Sequence, residues 1–68
     1  MPQVKIVMLE GRTTEQKRKV AKRITDVLVE EANANRDAIS ISFVEVSAEN
    51  YASGGLLIAD KRKASGPS

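Results

Sequence analysis

Apolar and polar residues alternate from the beginning of the chain. In PQVKIVML, Val4, Ile6 and Met8 alternate with Gln3 and Lys5. This period of two is typical of a β-strand with one buried face. The stretch EGR follows, and its glycine favours a turn. We therefore predict a strand over the first nine or so residues and a turn directly after it.

The spacing of apolar residues changes to that of a helix after Thr13. Thr13 and Gln16 are three residues apart, as in a capping box, so the helix is predicted to begin there. The predicted inner face carries Val20, Ala21, Ile24, Val27, Leu28 and the pair Glu31–Ala32, and the predicted outer face carries Lys17, Arg18, Lys22, Arg23, Asp26 and Glu30. The stretch NANRD should end the helix, because asparagine tolerates a left-handed cap.

A second alternating segment, AISISFVEV, predicts another strand. It places Ile39, Ile41 and Phe43 on one face, and Ser40, Ser42, Val44 and Val46 on the other. The turn-rich stretch SAENYASGG comes next, and LLIA could form a short terminal strand or hairpin arm. This order predicts an α/β fold of the two-layer α+β type: a β-α-β unit with parallel strands, a right-handed crossover and a C-terminal hairpin. Residues 1–60 form one domain in this prediction, and 61–68 form a flexible basic tail.

The composition predicts self-association. A chain of 68 residues buries only about 60% of its unfolded surface, so one copy alone is marginally stable. The sequence has no cysteine and no histidine, which excludes disulfides and the usual zinc sites, and we predict no metal. One helix covers only one face of two strands. The other face, which carries Val7, Val44 and Val46, is left for a second copy to cover. We therefore expect a homo-oligomer.

Charge and aromatic content argue against nucleic acid and membrane partners. Acidic and basic side chains balance over residues 1–59, so the net charge of +2 comes from the final DKRKASGPS. With one Phe, one Tyr and no Trp, no platform for stacking bases is predicted. The apolar runs are too short for a membrane span, and no signal peptide is evident. A cytoplasmic protein is expected.

The sequence offers few side chains that could act as catalytic groups. Without Cys or His, a Ser-His or Cys-His nucleophile cannot be built. An α-amino group, however, has a pKa of roughly 7.7–8.0 in model peptides. Removal of Met1 would leave the secondary amine of Pro2 free to act as a general base. The structural alternative is that proline is simply tolerated at the first residue of a strand.

The stretches MPQVKIVMLEGRTTEQK, SISFVEV and NYASGG resemble the 4-oxalocrotonate tautomerase family of the tautomerase superfamily, over residues 2 to about 57. The resemblance implies a β-α-β fold that assembles with itself, typically as a hexamer. It also implies a small-molecule substrate and no metal or organic cofactor. The implied reaction is keto–enol tautomerisation of an unsaturated 2-oxo acid such as 2-hydroxymuconate.

The same resemblance assigns roles to individual residues. Pro2 matches the catalytic base, and Arg12 matches an arginine that holds a substrate carboxylate. Tyr51 stands where the family usually has phenylalanine, and Leu9 and Val46 match apolar positions that line the site. Two positions depart from the family: Ser53 replaces an apolar residue, and Ser40 replaces a second arginine that polarises the oxo end of the substrate and binds the adjoining carboxylate.

A serine hydroxyl cannot replace the bidentate guanidinium, so efficiency on a dicarboxylate is expected to suffer. Arg36 or Arg62 from another subunit is the alternative cation, and the sequence gives no spacing argument for either. Because a strand from Pro2 to Met8 spans about 20 Å, Arg12 can share a site with Pro2 only if it comes from a neighbouring subunit.

Two other functions remain open. A chain that retains Met1 has an amide at Pro2, which is not basic, and would be a non-catalytic oligomeric scaffold. Hydration or dehalogenation of an unsaturated acid would need a carboxylate that activates water. Glu10, Glu45 and Glu49 show no spacing that marks such a group.

Overall fold

The structure, a computed structural model that describes residues 2–64, consists of a β-α-β unit followed by a small hairpin and a second helix. The strands are β1 (Gln3–Leu9), β2 (Ser40–Val46), β3 (Ala52–Ser53) and β4 (Leu56–Leu57), and the helices are α1 (Thr14–Ala32) and α2 (Ile58–Ala64). Single 3-10 turns at Arg36–Ala38 and Ala48–Asn50 flank β2. This order confirms the predicted two-layer α+β fold.

Strands β1 and β2 pair in parallel along their whole length. The register runs from Gln3 opposite Ser40 to Leu9 opposite Val46. Because side chains alternate between faces, Val4, Ile6 and Met8 lie on the face that α1 covers. The opposite face carries Gln3, Lys5, Val7 and Leu9 from β1, and Ser40, Ser42, Val44 and Val46 from β2. We call this second surface the free face of the sheet.

Local signals define both ends of α1. The Thr13 hydroxyl accepts a hydrogen bond from the backbone N–H of Gln16 at 3.1 Å, and the Gln16 side-chain oxygen accepts one from the Thr13 N–H at 2.8 Å. The helix ends at Asn33, whose φ of 55° is left-handed. The predicted capping box and asparagine cap are confirmed. Within residues 2–64, neither helix has the length and apolar character needed to cross a bilayer.

The predicted faces of α1 need correction at their edges. Lys17, predicted on the outer face, turns towards the sheet and pairs with Glu45 at 2.5 Å. Val20 and Val27, predicted on the inner face, remain 37% and 54% exposed. Two strands about 4.8 Å apart are no wider than the helix, so the flanks of α1 extend past the sheet edges.

The C-terminal segment forms a tight hairpin and then a helix. Strands β3 and β4 pair antiparallel around Gly54 and Gly55, whose φ values of 61° and 85° suit a two-residue turn. The predicted hairpin is confirmed, but Ile58 and Ala59 begin α2 instead of extending the strand. Residues 61–64, predicted as tail, belong to α2, where Lys61, Arg62 and Lys63 complement the negative end of the helix dipole. Residues 65–68 of the predicted tail lie outside the described residues.

The described chain has no fully buried side chain of its own. The hairpin and α2 contact each other and the Ala48–Asn50 turn, and they extend away from the β-α-β unit. The longest dimension is 45 Å, and the radius of gyration of 15.7 Å compares with about 11 Å for a compact chain of this length. The apolar side chains of Val7 and Leu56 are 50% and 56% exposed. A single copy therefore leaves much of its apolar surface uncovered.

Candidate active site

The amino-terminal end of the sheet brings Pro2 and Ser40 together. Pro2 directly precedes β1, is partly exposed, and its carbonyl accepts a hydrogen bond from the Ser40 N–H at 3.1 Å. A shallow cavity of about 250 Å³ opens at this end of the sheet and is lined by Gln3, Val4, Lys5, Ser40 and Ser42. The cavity beside Ser40 is therefore lined mostly by polar residues.

Leu9 and Val46 lie at the opposite end of the sheet. They are register partners and the last residues of their strands, and both are partly buried. The N–H of Glu10 donates to the Val46 carbonyl at 2.9 Å and closes the ladder there. At about 3.3 Å per residue, this apolar pair is roughly 20 Å or more from Pro2 in the same chain.

Arg12 lies in the loop between β1 and α1, also at the far end from Pro2. With Met8, Val20 and Phe43 it lines a cavity of about 270 Å³ on the side of the sheet that α1 covers. The guanidinium is exposed, and within residues 2–64 it makes no hydrogen bond or ion pair. An unpaired guanidinium above an apolar floor can bind a carboxylate bidentately.

Tyr51 occupies a third place. It follows the Ala48–Asn50 turn, its side chain is 42% exposed, and its carbonyl accepts a hydrogen bond from the Ile58 N–H at 2.8 Å. Ser53 lies two residues further along the chain, in β3. One chain therefore brings Pro2 to Ser40 and Leu9 to Val46, but it does not bring these pairs, Arg12 and Tyr51 into one site.

Several other charged groups of the described residues form ion pairs on the surface. Asp26 accepts hydrogen bonds from Lys22 at 2.9 Å and from Arg36 at 2.6 Å, and these bonds lower the pKa of its carboxyl group. Arg36, one of the two alternative cations, is thus held by Asp26. Arg62, the other one, lines a separate cavity beside α2 together with Glu49 and Asp60. Over residues 2–64, no group of three or more acidic side chains is placed to hold a metal ion.

Sequence reasoning missed one charged residue in the cavity beside Ser40. Lys5 lies opposite Ser42 on the free face and lines the same cavity as Ser40. The alternation of β1 already put Lys5 and Gln3 on one face. The missing information was the register between the strands, because it decides which residues of β2 stand beside Lys5.

Comparison with known proteins adds evidence of ancestry. A sequence model of a family described as tautomerase enzyme matches residues 2–61. A probable tautomerase of Bacillus cereus is 41% identical over 61 residues, which are 90% of this chain and 100% of that protein. A 2-hydroxymuconate tautomerase of Bacillus subtilis is 37% identical over 60 residues, 88% of this chain and 97% of that protein.

Solved structures agree with the fold. A 4-oxalocrotonate tautomerase isozyme from Methylibium petroleiphilum superimposes with a TM-score of 0.90 and 32% identity, over 93% of this chain and 98% of that one. The heterohexamer 4-oxalocrotonate tautomerase from Chloroflexus aurantiacus gives a TM-score of 0.83 at 28% identity, over 88% of this chain and 97% of that one.

Proposed function

This chain belongs to the tautomerase family and is an isomerase of the 4-oxalocrotonate tautomerase type, and on that premise we propose that it interconverts the enol and keto forms of an unsaturated 2-oxo acid with the Pro2 amine as general base. The observation that carries this proposal is the position of Pro2. The family match begins at this residue, and its carbonyl is fixed by Ser40 at the polar end of the sheet.

The proposed step requires Met1 to be removed, so that the Pro2 nitrogen is a secondary amine. In its neutral form the amine takes the proton from the enol hydroxyl of the substrate. The oxygen's electron pair forms the carbonyl, the conjugated double bond shifts, and the proton returns to a carbon of the chain. The amine is regenerated, so the reaction is a net isomerisation. A positioned base of this kind contributes about 10²- to 10⁴-fold to the rate.

In this proposal Arg12 binds the carboxylate at the far end of a dicarboxylate substrate. Its guanidinium is exposed and has no partner among residues 2–64, and the nearby Lys17 is engaged with Glu45. A charge-assisted bond to a carboxylate contributes roughly 1.5–3 kcal/mol. Leu9, Val46 and Tyr51 contact the carbon chain of the substrate, and Ser40 lies at its oxo end.

We also propose that the working form is a homo-oligomer, a hexamer by analogy with the heterohexamer named above. The extended shape, the missing buried core and the separation of Pro2 from Arg12 within one chain all support this. In such an assembly the Arg12 of one subunit would serve the Pro2 of another.

The direct test is a spectrophotometric assay on 2-hydroxymuconate, a dicarboxylate enol, and on phenylenolpyruvate, a monocarboxylate enol. The protein must first have its N-terminus confirmed by intact mass. We expect clear acceleration of ketonisation over the same buffer without protein. A protein with free Pro2 that accelerates neither reaction would contradict the proposal and favour the scaffold.

A further inference from the structure

The cavity beside Ser40, at the end of the sheet where Pro2 lies, raises the question of what neutralises the charge formed in the proposed reaction. Loss of the enol proton leaves a negative oxygen next to a carboxylate, and fixed donors or cations must stabilise both. Of the residues that line the cavity at the amino-terminal end of the sheet, Gln3, Val4, Ser40 and Ser42 are neutral. Lys5 is the remaining one, and it is a cation.

The strand register brings Lys5 close to Ser40. Lys5 lies directly opposite Ser42, and Ser40 is two residues along the same strand on the same face. From a strand spacing of about 4.8 Å and a rise of about 3.3 Å per residue, the two backbone positions are roughly 8 Å apart. A long side chain reaches across such a diagonal. Because both residues belong to one chain and to one face of its sheet, Lys5 lies at the oxo end of the substrate wherever Ser40 does, which is where the proposed function places Ser40.

Lys5 is also available. It is exposed, and within residues 2–64 its ammonium group forms no hydrogen bond or ion pair. Lys17 and Lys22, in contrast, are engaged with Glu45 and Asp26. No carboxylate lines the cavity that contains Lys5. Within one chain, the positive charge is therefore not neutralised by a carboxylate.

We propose that Lys5 is the substrate-binding cation of this site, which holds the 2-oxo acid end of the substrate and stabilises the enolate beside Pro2. This inference rests on the proposed function and adds a residue to it. A lysine is a point charge and not a planar fork, so it favours no particular orientation of the oxo acid. It fits any small anion of the 2-oxo acid class, with or without a second carboxylate.

The test compares Lys5→Gln and Lys5→Met, which remove the charge, with Lys5→Arg, which keeps it. Lys22→Gln is the control, because it removes the same charge from the exposed outer side of α1. Each protein is assayed on 2-hydroxymuconate and phenylenolpyruvate, and native mass spectrometry checks its oligomeric state. We expect the neutral variants to lose at least about tenfold in kcat/KM on both substrates, and Lys5→Arg and Lys22→Gln to stay within about threefold of wild type.

A binding measurement separates this inference from the proposed function. Titration calorimetry with phenylpyruvate, a 2-oxo monoacid, should show affinity weakened by at least about tenfold in the neutral variants. Absence of turnover in the wild type would overturn the proposed function. Weaker phenylpyruvate binding in the neutral variants than in the wild type would still support Lys5 as an anion-binding residue. Neutral variants that bind and turn over like wild type would overturn the role of Lys5 alone. Failure of the wild type to bind phenylpyruvate, or a loss in Lys5→Arg equal to that in Lys5→Gln, would also overturn it.

Discussion

Val7→Asp should dissociate the oligomer and abolish activity with it. Val7 lies on the free face, opposite Val44 in the register, and the two side chains are 50% and 37% exposed in one chain. Complete burial of a valine contributes about 1.5–3 kcal/mol, so covering the exposed half contributes about 1 kcal/mol per subunit. Aspartate removes that contribution and adds the cost of an unpaired carboxylate in an apolar contact, which is several kcal/mol.

The expected weakening of association is therefore on the order of 2–4 kcal/mol per contact, or about thirty- to a thousandfold. Sedimentation velocity at micromolar concentration measures the dissociation, and the 2-hydroxymuconate assay measures the activity. Lys22→Gln is the control, because it also lowers the net charge by one, but at a side chain that is 74% exposed. It should leave the oligomeric state and the activity unchanged. A Val7→Asp protein that keeps the wild-type oligomer and full activity would refute the reasoning, as would a fully active wild-type monomer.

Three further predictions concern the substrate, the base and the surface charges. Arg12→Ala should lower kcat/KM about ten- to a hundredfold on 2-hydroxymuconate and much less on phenylenolpyruvate, which has no distal carboxylate; equal losses on both would contradict the role of Arg12. The wild-type kcat/KM should rise with pH as the Pro2 amine loses its proton, whereas a flat profile over about pH 5 to 9 would argue against an amine base. Hydrogen bonds from Lys22 and, second in size, from Arg36 lower the pKa of the Asp26 carboxyl group. The ionised carboxylate therefore stabilises the folded state at pH values above its ordinary pKa of about 4, and this stabilisation is lost as the pH falls further. Urea unfolding below about pH 4 should therefore show a steeper loss of stability in wild type than in Asp26→Asn, and identical slopes would exclude this contribution.

The elements that the sequence predicts well are those fixed by neighbouring residues. The alternation in β1 defines its two faces, and Thr13 with Gln16 defines the start of α1. Asn33 ends the helix because its side chain tolerates a positive φ, and Gly54 with Gly55 permits the tight hairpin turn. Each of these signals acts within a few residues along the chain.

The features that the sequence missed depend on residues far apart in the chain. Lys17 turns inwards because Glu45, 28 residues away, occupies the covered face of β2. The pairing of Lys5 with Ser42 needed the register. At the start of α2, the Ile58 N–H donates to the Tyr51 carbonyl seven residues earlier, a contact that no local pattern indicates. The Pro2 amine was a candidate base because the sequence has no Cys or His, and family resemblance strengthened that assignment. The assignment of Arg12 came from family resemblance alone, because no local pattern distinguishes a substrate-binding arginine from an ordinary one.

The central claim is that the amine of Pro2 performs the proton transfer, and one comparison tests it most directly. Protein whose intact mass shows that Met1 is absent is assayed on 2-hydroxymuconate beside the same protein with one additional residue before Pro2. Native mass spectrometry confirms that the two have the same oligomeric state. The account predicts that the extended protein loses at least about a hundredfold in kcat/KM, because its Pro2 nitrogen is an amide. Equal rates for the two proteins would contradict it.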